Sequence, residues 1–167
     1  VFSIYKNMVY SPADNKAQFR DRFVLSAGHG SSMLYATLSL LTDKVDYNEL
    51  KTFRKLGSNL PGHPELNVPF VEAATGPLGQ GVAMAVGMAL AEKKANFNKG
   101  ENAGNYTYCL AGDGCLMEGV ALEALDIAVT LNLNKFILLF DSNNITIEGE
   151  AKLAHNQNAK KVFLAKG

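Results

Sequence analysis

Two short stretches decide the fold: Gly112-Asp113-Gly114 and Asp141-Ser142-Asn143-Asn144. The first closes the apolar run Tyr106 to Ala111, and the second closes Phe136 to Phe140. Both runs read as buried strands. Between them Ala121, Leu122, Leu125, Ala128 and Val129 recur at helical spacing, within a helix expected over 118–131. The two strands then belong to one β-α-β unit. Parallel neighbours put Asp113 and Asn143 at the same edge of the sheet, where open α/β sheets bind ligands. Either residue alone is ordinary turn chemistry. As a pair they point to a ligand site. A carboxylate, a carboxamide oxygen and a close glycine backbone suit a hard divalent cation such as Mg²⁺, with phosphate oxygens completing its shell.

Strands alternating with helices along the rest of the chain argue for an α/β fold with a mostly parallel sheet. Arg22 to Ala27 reads as a further strand, ended by Gly28-His29-Gly30. Ser31 or Ser32 is expected to cap a helix running to Leu41. Asp46 is expected to cap a second short helix, with Tyr47, Leu50 and Phe53 on one face and Gly57 at its end. Residues 57–69 read as a loop stiffened by Pro61, Pro64 and Pro69, followed by an extended segment over 70–74. A helix is expected over 81–94, with Gly79, Gly81, Ala83, Ala85, Gly87, Ala89 and Ala91 as a stripe for close packing. Asn96 to Asn105 reads as an exposed loop. A last short helix ends near Lys166.

Composition removes several function classes. The 167 residues carry zero formal net charge and 47% hydrophobic side chains, enough for one globular domain with a real core. Neutral balance gives no electrostatic reason to expect nucleic acid or an anionic membrane as a partner. No apolar stretch is long enough to span a bilayer. The two cysteines, Cys109 and Cys115, form no CxxC pair and are expected to be free thiols in a reducing, cytoplasmic setting. The sequons at Asn105 and Asn144 are then expected to be coincidental.

Familiar motifs fail on particular residues. Met84 and Met117 occupy the third-glycine places that would make Gly79-Gln80-Gly81 or Gly112-Asp113-Gly114 a dinucleotide fingerprint. Asp141-Ser142-Asn143-Asn144-Ile145 starts like a calcium loop, but Thr146 and Lys152 stand where an EF-hand needs Gly and Glu. His29 between two glycines and His63 between Gly and Pro are loop imidazoles able to reach a phosphate or a hydroxyl. His155 reads as solvated at a polar helix start. Gly76-Pro77-Leu78-Gly79 offers a backbone surface that a flat ring can approach. Cys115 has no base near it in sequence and reads as a small buried residue.

Together these segments resemble transketolase. Gly112-Asp113-Gly114, 28 residues, then Asn143-Asn144 is similar to the thiamine diphosphate motif. Three further blocks appear in transketolase order: residues 21–30, residues 61–65 (Pro-Gly-His-Pro-Glu) and residues 75–81 (Thr-Gly-Pro-Leu-Gly-Gln-Gly). Gly112 through Gly119 extends the match, and the likeness runs over nearly the whole chain. It implies a three-layer α/β/α thiamine diphosphate-binding fold, as the central part of the diphosphate-binding domain. It implies transfer of a two-carbon ketol unit from a ketose phosphate to an aldose phosphate, in the pentose phosphate pathway. The implied cofactors are thiamine diphosphate and Mg²⁺ or Ca²⁺.

The resemblance also assigns roles. Asp113 and Asn143 would bind the metal through side chains, and Ile145 through its carbonyl. Gly114 and Asn143 would touch the diphosphate. His29 would reach the cofactor's phosphate end and the substrate side. Gly76, Pro77 and Leu78 would line the aminopyrimidine and thiazolium. His63 would hydrogen-bond the donor's hydroxyls and assist proton movements. Glu118 would join a carboxylate network linking two active sites across a homodimer. The family's upstream Ser-Gly-His-Pro segment, pyrimidine-binding domain and C-terminal domain are not in these 167 residues, so a truncated, singly inactive piece is expected. Alternatives are a non-catalytic or split-subunit cofactor-binding domain, dihydroxyacetone synthase, or 1-deoxyxylulose-5-phosphate synthase. Residues 61–65 and 76–81 favour transketolase over the last.

Overall fold

Arg22–Leu25 (β1), Thr107–Gly112 (β2) and Phe136–Asp141 (β3) make one parallel sheet in the order β1-β2-β3. Arg22 pairs with Thr107 and Thr107 with Phe136, so all three strands run out at a common edge. A computed structural model describes residues 1–96, 98, 104–146, 149–156 and 158–166. Most of the loop expected over 96–105 lies outside the described residues.

Among the described residues six helices accompany the sheet: Phe2–Asn7 (α1), Ser31–Leu41 (α2), Gln80–Ala95 (α3), Asp113–Met117 (α4), Gly119–Thr130 (α5) and Ala159–Lys166 (α6). Two short strands, Ile145–Thr146 (β4) and Gly149–Glu150 (β5), pair antiparallel after the sheet.

Side-chain direction identifies the layers. Strand residues alternate between faces. Arg22 reaches Glu92 of α3 at 3.3 Å, which sets α3 on that face. Phe23 points the other way and meets Tyr5 of α1, ring centroids 5.3 Å apart. α3 packs along β2 and against α5. Helices therefore cover both faces, giving the three-layer α/β/α architecture. On the α3 side of β2, Thr107, Cys109 and Ala111 are buried, and their small side chains let a helix come close.

Acidic side chains tie the strand entrances together. The Asp21 carboxylate accepts the Val9 amide at 2.9 Å and the Tyr106 amide at 2.7 Å. That holds the approach to β2 against the start of β1. The Glu92 carboxylate accepts the Asn105 amide at 3.0 Å besides meeting Arg22. Arg20 and Glu72, both largely buried, pair through both guanidinium Nη atoms and both carboxylate oxygens. A two-pronged bond of that kind fixes geometry as well as charge.

Several local expectations are corrected. Ser31 does not cap α2. The N-cap is Gly30, and the Ser31 hydroxyl is spent on the Gly62 carbonyl instead. The segment after Asp46 makes only a 3-10 turn at Glu49–Thr52, with Tyr47 exposed, although Asp46 does accept the Asn48 amide. Residues 70–74 form no strand, and Phe70 sits at φ 64. The helix expected over 118–131 is α5, with Glu118 (φ −82, ψ 132) as its N-cap, and the short helix α4 that precedes it was not expected. The glycine–alanine stripe does not form one face. A period of two winds around a helix, so Gly81, Ala85 and Ala89 are buried while Gly87 and Ala91 are exposed.

β3 reads as a buried strand in sequence, yet Phe136–Phe140 are only half-buried. Among the described residues no strand pairs with its far side. Phe163 of α6 reaches Phe140, ring centroids 6.3 Å apart, and gives partial cover. No helix among the described residues is long and apolar enough to cross a membrane.

Candidate functional site

The exits of all three strands open into one cleft of about 390 Å³, lined by Gly28, His29, His63, Gly76, Leu78, Gly112, Asp113, Gly114, Asp141, Asn143 and Ile145 among others. Its size falls within the usual range for small-molecule sites. Each strand contributes the turn that follows it, as the parallel topology requires.

The floor is built around Asp113. Its Oδ2 accepts the backbone amides of Asn143 at 3.0 Å and Asn144 at 2.8 Å. A carboxylate accepting two amides locks the exit of β2 to the exit of β3. The Asn143 side chain is also oriented. Its Oδ1 accepts the Ile145 amide at 2.9 Å, and its Nδ2 donates to Asp141 Oδ2 at 3.2 Å. Asn144 sits at φ 61, a left-handed conformation that asparagine tolerates better than most residues. Asp113, Asn143 and the Ile145 carbonyl supply oxygen only, the donor type that Mg²⁺ and Ca²⁺ take. Among the described residues no three His, Cys, Asp or Glu side chains gather to enclose a metal alone. The donor set fits a cation whose shell is completed by ligand oxygens.

The walls come from three loops in close contact. A Cβ added to Gly28 would stand 2.9 Å from the Gly76 amide nitrogen and 3.1 Å from the His63 ring. One added to Gly114 would stand 3.2 Å from Leu78. Only glycine lets these segments approach so closely. The His29 and His63 rings are exposed at the cleft. Thr75, buried, donates its hydroxyl to the Leu25 carbonyl at 2.7 Å and fixes the start of the Gly76 segment.

Two of the expected site residues lie outside this lining. Pro77 is exposed, turned away between Gly76 and Leu78. Glu118 stands behind the wall at the α4–α5 break, exposed. It is still tied to the cleft. Gly79 takes φ 78, and a Cβ there would fall 2.7 Å from the Glu118 Cβ. Sequence reading missed Thr75 as a brace and Asp141 as the partner of the Asn143 amide. The signal for Asp141 was its place at the end of β3. His155 lies in an irregular segment rather than a helix, beside a separate hollow near α6. A larger hollow of about 740 Å³ runs along the unpaired side of β3. It shares Asp113 but lacks the converging histidines and glycines.

Cys109 and Cys115 are free and buried. The Cys115 sulfur receives the Ser26 hydroxyl at 3.5 Å, as suits a packed thiol rather than a nucleophile. Burial first, and the neighbouring Cys115 second, push the Cys109 thiol from 9.0 to about 12. A dithiobis-nitrobenzoate assay at pH 8 is therefore expected to label neither thiol before unfolding. Raised in the folded state, the Cys109 pKa contributes stability that is complete below pH 9 and lost as pH climbs toward 12. Unfolding midpoints measured from pH 8 to 11 should fall with pH.

Parallel strands ending in a glycine-lined cleft, with an oxygen-donor floor and two histidines, define an α/β ligand-binding domain. The family described as "Transketolase, thiamine diphosphate binding domain" matches residues 1–167. The chain belongs to this transketolase family. It is 51% identical over 167 residues to the transketolase of Geobacillus stearothermophilus, covering 97% of this chain and 25% of that one. It is 49% identical to the chloroplastic transketolase-1 of Arabidopsis thaliana, covering 96% of this chain and 22% of that one. The crystal structure of Campylobacter jejuni transketolase superposes with a TM-score of 0.91 at 47% identity, over 98% of this chain and 26% of that one. A Pichia stipitis transketolase in complex with sedoheptulose-7-phosphate gives 0.93 at 41% identity, over 99% and 25%. The chain thus spans about a quarter of the length of these relatives.

Proposed function

We propose that these residues hold the diphosphate and metal end of thiamine diphosphate in a transketolase. The observation that carries this is the Asp113 carboxylate closing on the amides of Asn143 and Asn144 at the floor of the cleft. In this reading Asp113, Asn143 and the Ile145 carbonyl hold Mg²⁺ or Ca²⁺, and Gly114 and Asn143 meet the diphosphate. His29 faces the phosphate end. Gly76 and Leu78 border the two rings, and Glu118 acts from behind through Gly79. His63 faces the donor sugar's hydroxyls. Bound thiamine diphosphate supplies carbanion stabilisation, while the protein orients it and keeps its surroundings fixed.

The substrates are sugar phosphates, in line with the sedoheptulose-7-phosphate bound by the Pichia relative. The reaction is transfer of a two-carbon ketol unit from ketose to aldose phosphate, a step of the pentose phosphate pathway. The working unit is a homodimer whose partner subunit brings the pyrimidine-binding domain. Free, buried cysteines favour a reducing compartment, and we place the protein in the cytoplasm.

Isothermal titration of the 167-residue chain tests the reading. Thiamine diphosphate is expected to bind with Mg²⁺ present and to lose binding when EDTA removes it. Thiamine without phosphates should not bind in either condition. Equal binding with and without Mg²⁺ would sink the metal–diphosphate assignment.

A further inference from the structure

Three consecutive peptide carbonyls next to the cleft are each held by a donor from another element. The Gly62 carbonyl accepts the Ser31 hydroxyl at 2.7 Å. The His63 carbonyl accepts the Tyr35 hydroxyl at 3.0 Å. The Pro64 carbonyl accepts the Thr75 amide at 3.1 Å. Ser31, Tyr35 and Thr75 are buried, whereas the His63 side chain they surround is exposed at the cleft. Pro61 and Pro64 further limit the backbone on either side. The ring itself is flanked by Gly28 and Gly76, where added Cβ atoms would stand 3.1 and 3.4 Å from its Cδ2.

Loops bearing functional side chains ordinarily move more than the elements they join. Here the backbone of one is fixed at three successive points while its side chain is left free to meet a ligand. We propose that Tyr35, helped by Ser31 and Thr75, is a positioning residue that sets the His63 imidazole over the cleft. This rests on the transketolase reading for what His63 touches, but not for the brace itself. Tyr35 suits the role because its ring is anchored against Phe53, centroids 6.0 Å apart, so the hydroxyl has one place to point. Burial, and secondarily the Glu65 charge, push that hydroxyl up to about 12, so it remains a donor throughout the working range.

Tyr35→Phe removes the donor and keeps the ring. In the 167-residue chain with isotope-labelled histidine, the His63 ring resonances are expected to shift and broaden, with His29 and His155 unmoved. Ser31→Ala cuts the adjacent contact and should move the same resonances less. If Tyr35→Phe does not fold, Ser31→Ala alone decides the matter. Unchanged His63 resonances in the folded variants overturn the brace. In the assembled enzyme, Tyr35→Phe is expected to lower kcat/KM for a ketose phosphate donor about tenfold. Thiamine diphosphate affinity should stay within about twofold, since the floor at Asp113 is untouched. A parallel loss of cofactor affinity would mark a merely structural role and overturn the proposal. Absence of ketol transfer with the parent sequence would instead defeat the transketolase reading, and the histidine resonances would still judge the brace.

Discussion

Asp113→Ala is expected to remove Mg²⁺-dependent thiamine diphosphate binding, by about 100-fold or more, read by titration calorimetry. Two losses combine at that position. The proposed metal shell loses its carboxylate, leaving the Asn143 carboxamide and a carbonyl, neither of which carries charge. The amides of Asn143 and Asn144 also lose the oxygen that now accepts both. Without it the β3 exit is no longer tied to the β2 exit, and Asn143 is free to turn away. Asp113→Asn separates the two contributions. Its carboxamide oxygen can still accept the amides, so the loop should keep its shape while the charge is gone. An intermediate loss is therefore expected for Asn, and a smaller one than Asp113→Ala for Asn143→Ala. Unchanged Mg²⁺-dependent titration in Asp113→Ala and Asn143→Ala would remove both from the metal shell.

Gly81→Ala should lower the unfolding free energy by about 2–3 kcal/mol, measured by urea denaturation. On propensity alone alanine in a helix is better than glycine by about 1 kcal/mol. The contact decides the sign. An added Cβ would lie 2.6 Å from the Ser26 Cα and 2.7 Å from its side chain, and backbone cannot rotate aside. The first turn of α3 would be forced off the exit of β1, and Ser26 with it. Gly87, six positions further along the same helix, has nothing within 4 Å of an added Cβ. Gly87→Ala is the matched control, expected to stabilise by up to about 1 kcal/mol. The two glycines look alike in sequence and should respond with opposite sign.

That pair shows what sequence reading can and cannot reach here. The parallel strands were legible because 106–111 and 136–140 are short apolar runs ended by Gly, Asp and Asn. The meeting of Asp113 and Asn143 was legible because both follow the ends of neighbouring parallel strands. The short helix α4 was hidden, since Gly112-Asp113-Gly114 reads only as the turn that closes β2. Ser31 looked like a helix cap because local rules see the nearest amides, while its hydroxyl found a carbonyl 31 positions away. Thr75 and Tyr35 escaped for the same reason. Each reads as an ordinary element residue until distant loops are brought beside it. Gly81 differs from Gly87 only through what lies opposite, and that is a tertiary fact.

The order of pairing in the sheet bears on how the cleft comes into being. Thr107 meets Phe136 across 29 positions, whereas Arg22 must find Thr107 across 85. By chain-closure statistics the longer search costs only about 1 kcal/mol more in entropy. Yet it also waits on everything between, including the 57–79 loops and α3. Long-range parallel pairing is the slow kind. The hairpin-scale unit of β2, α5 and β3 is thus the natural nucleus, and β1 its late recruit. The anionic floor at Asp113 would exist before the glycine and histidine walls close around it. Pulse-labelled amide exchange should accordingly protect Leu138–Phe140 ahead of Val24 and Leu25, with the floor at Asp113 open to solvent in between.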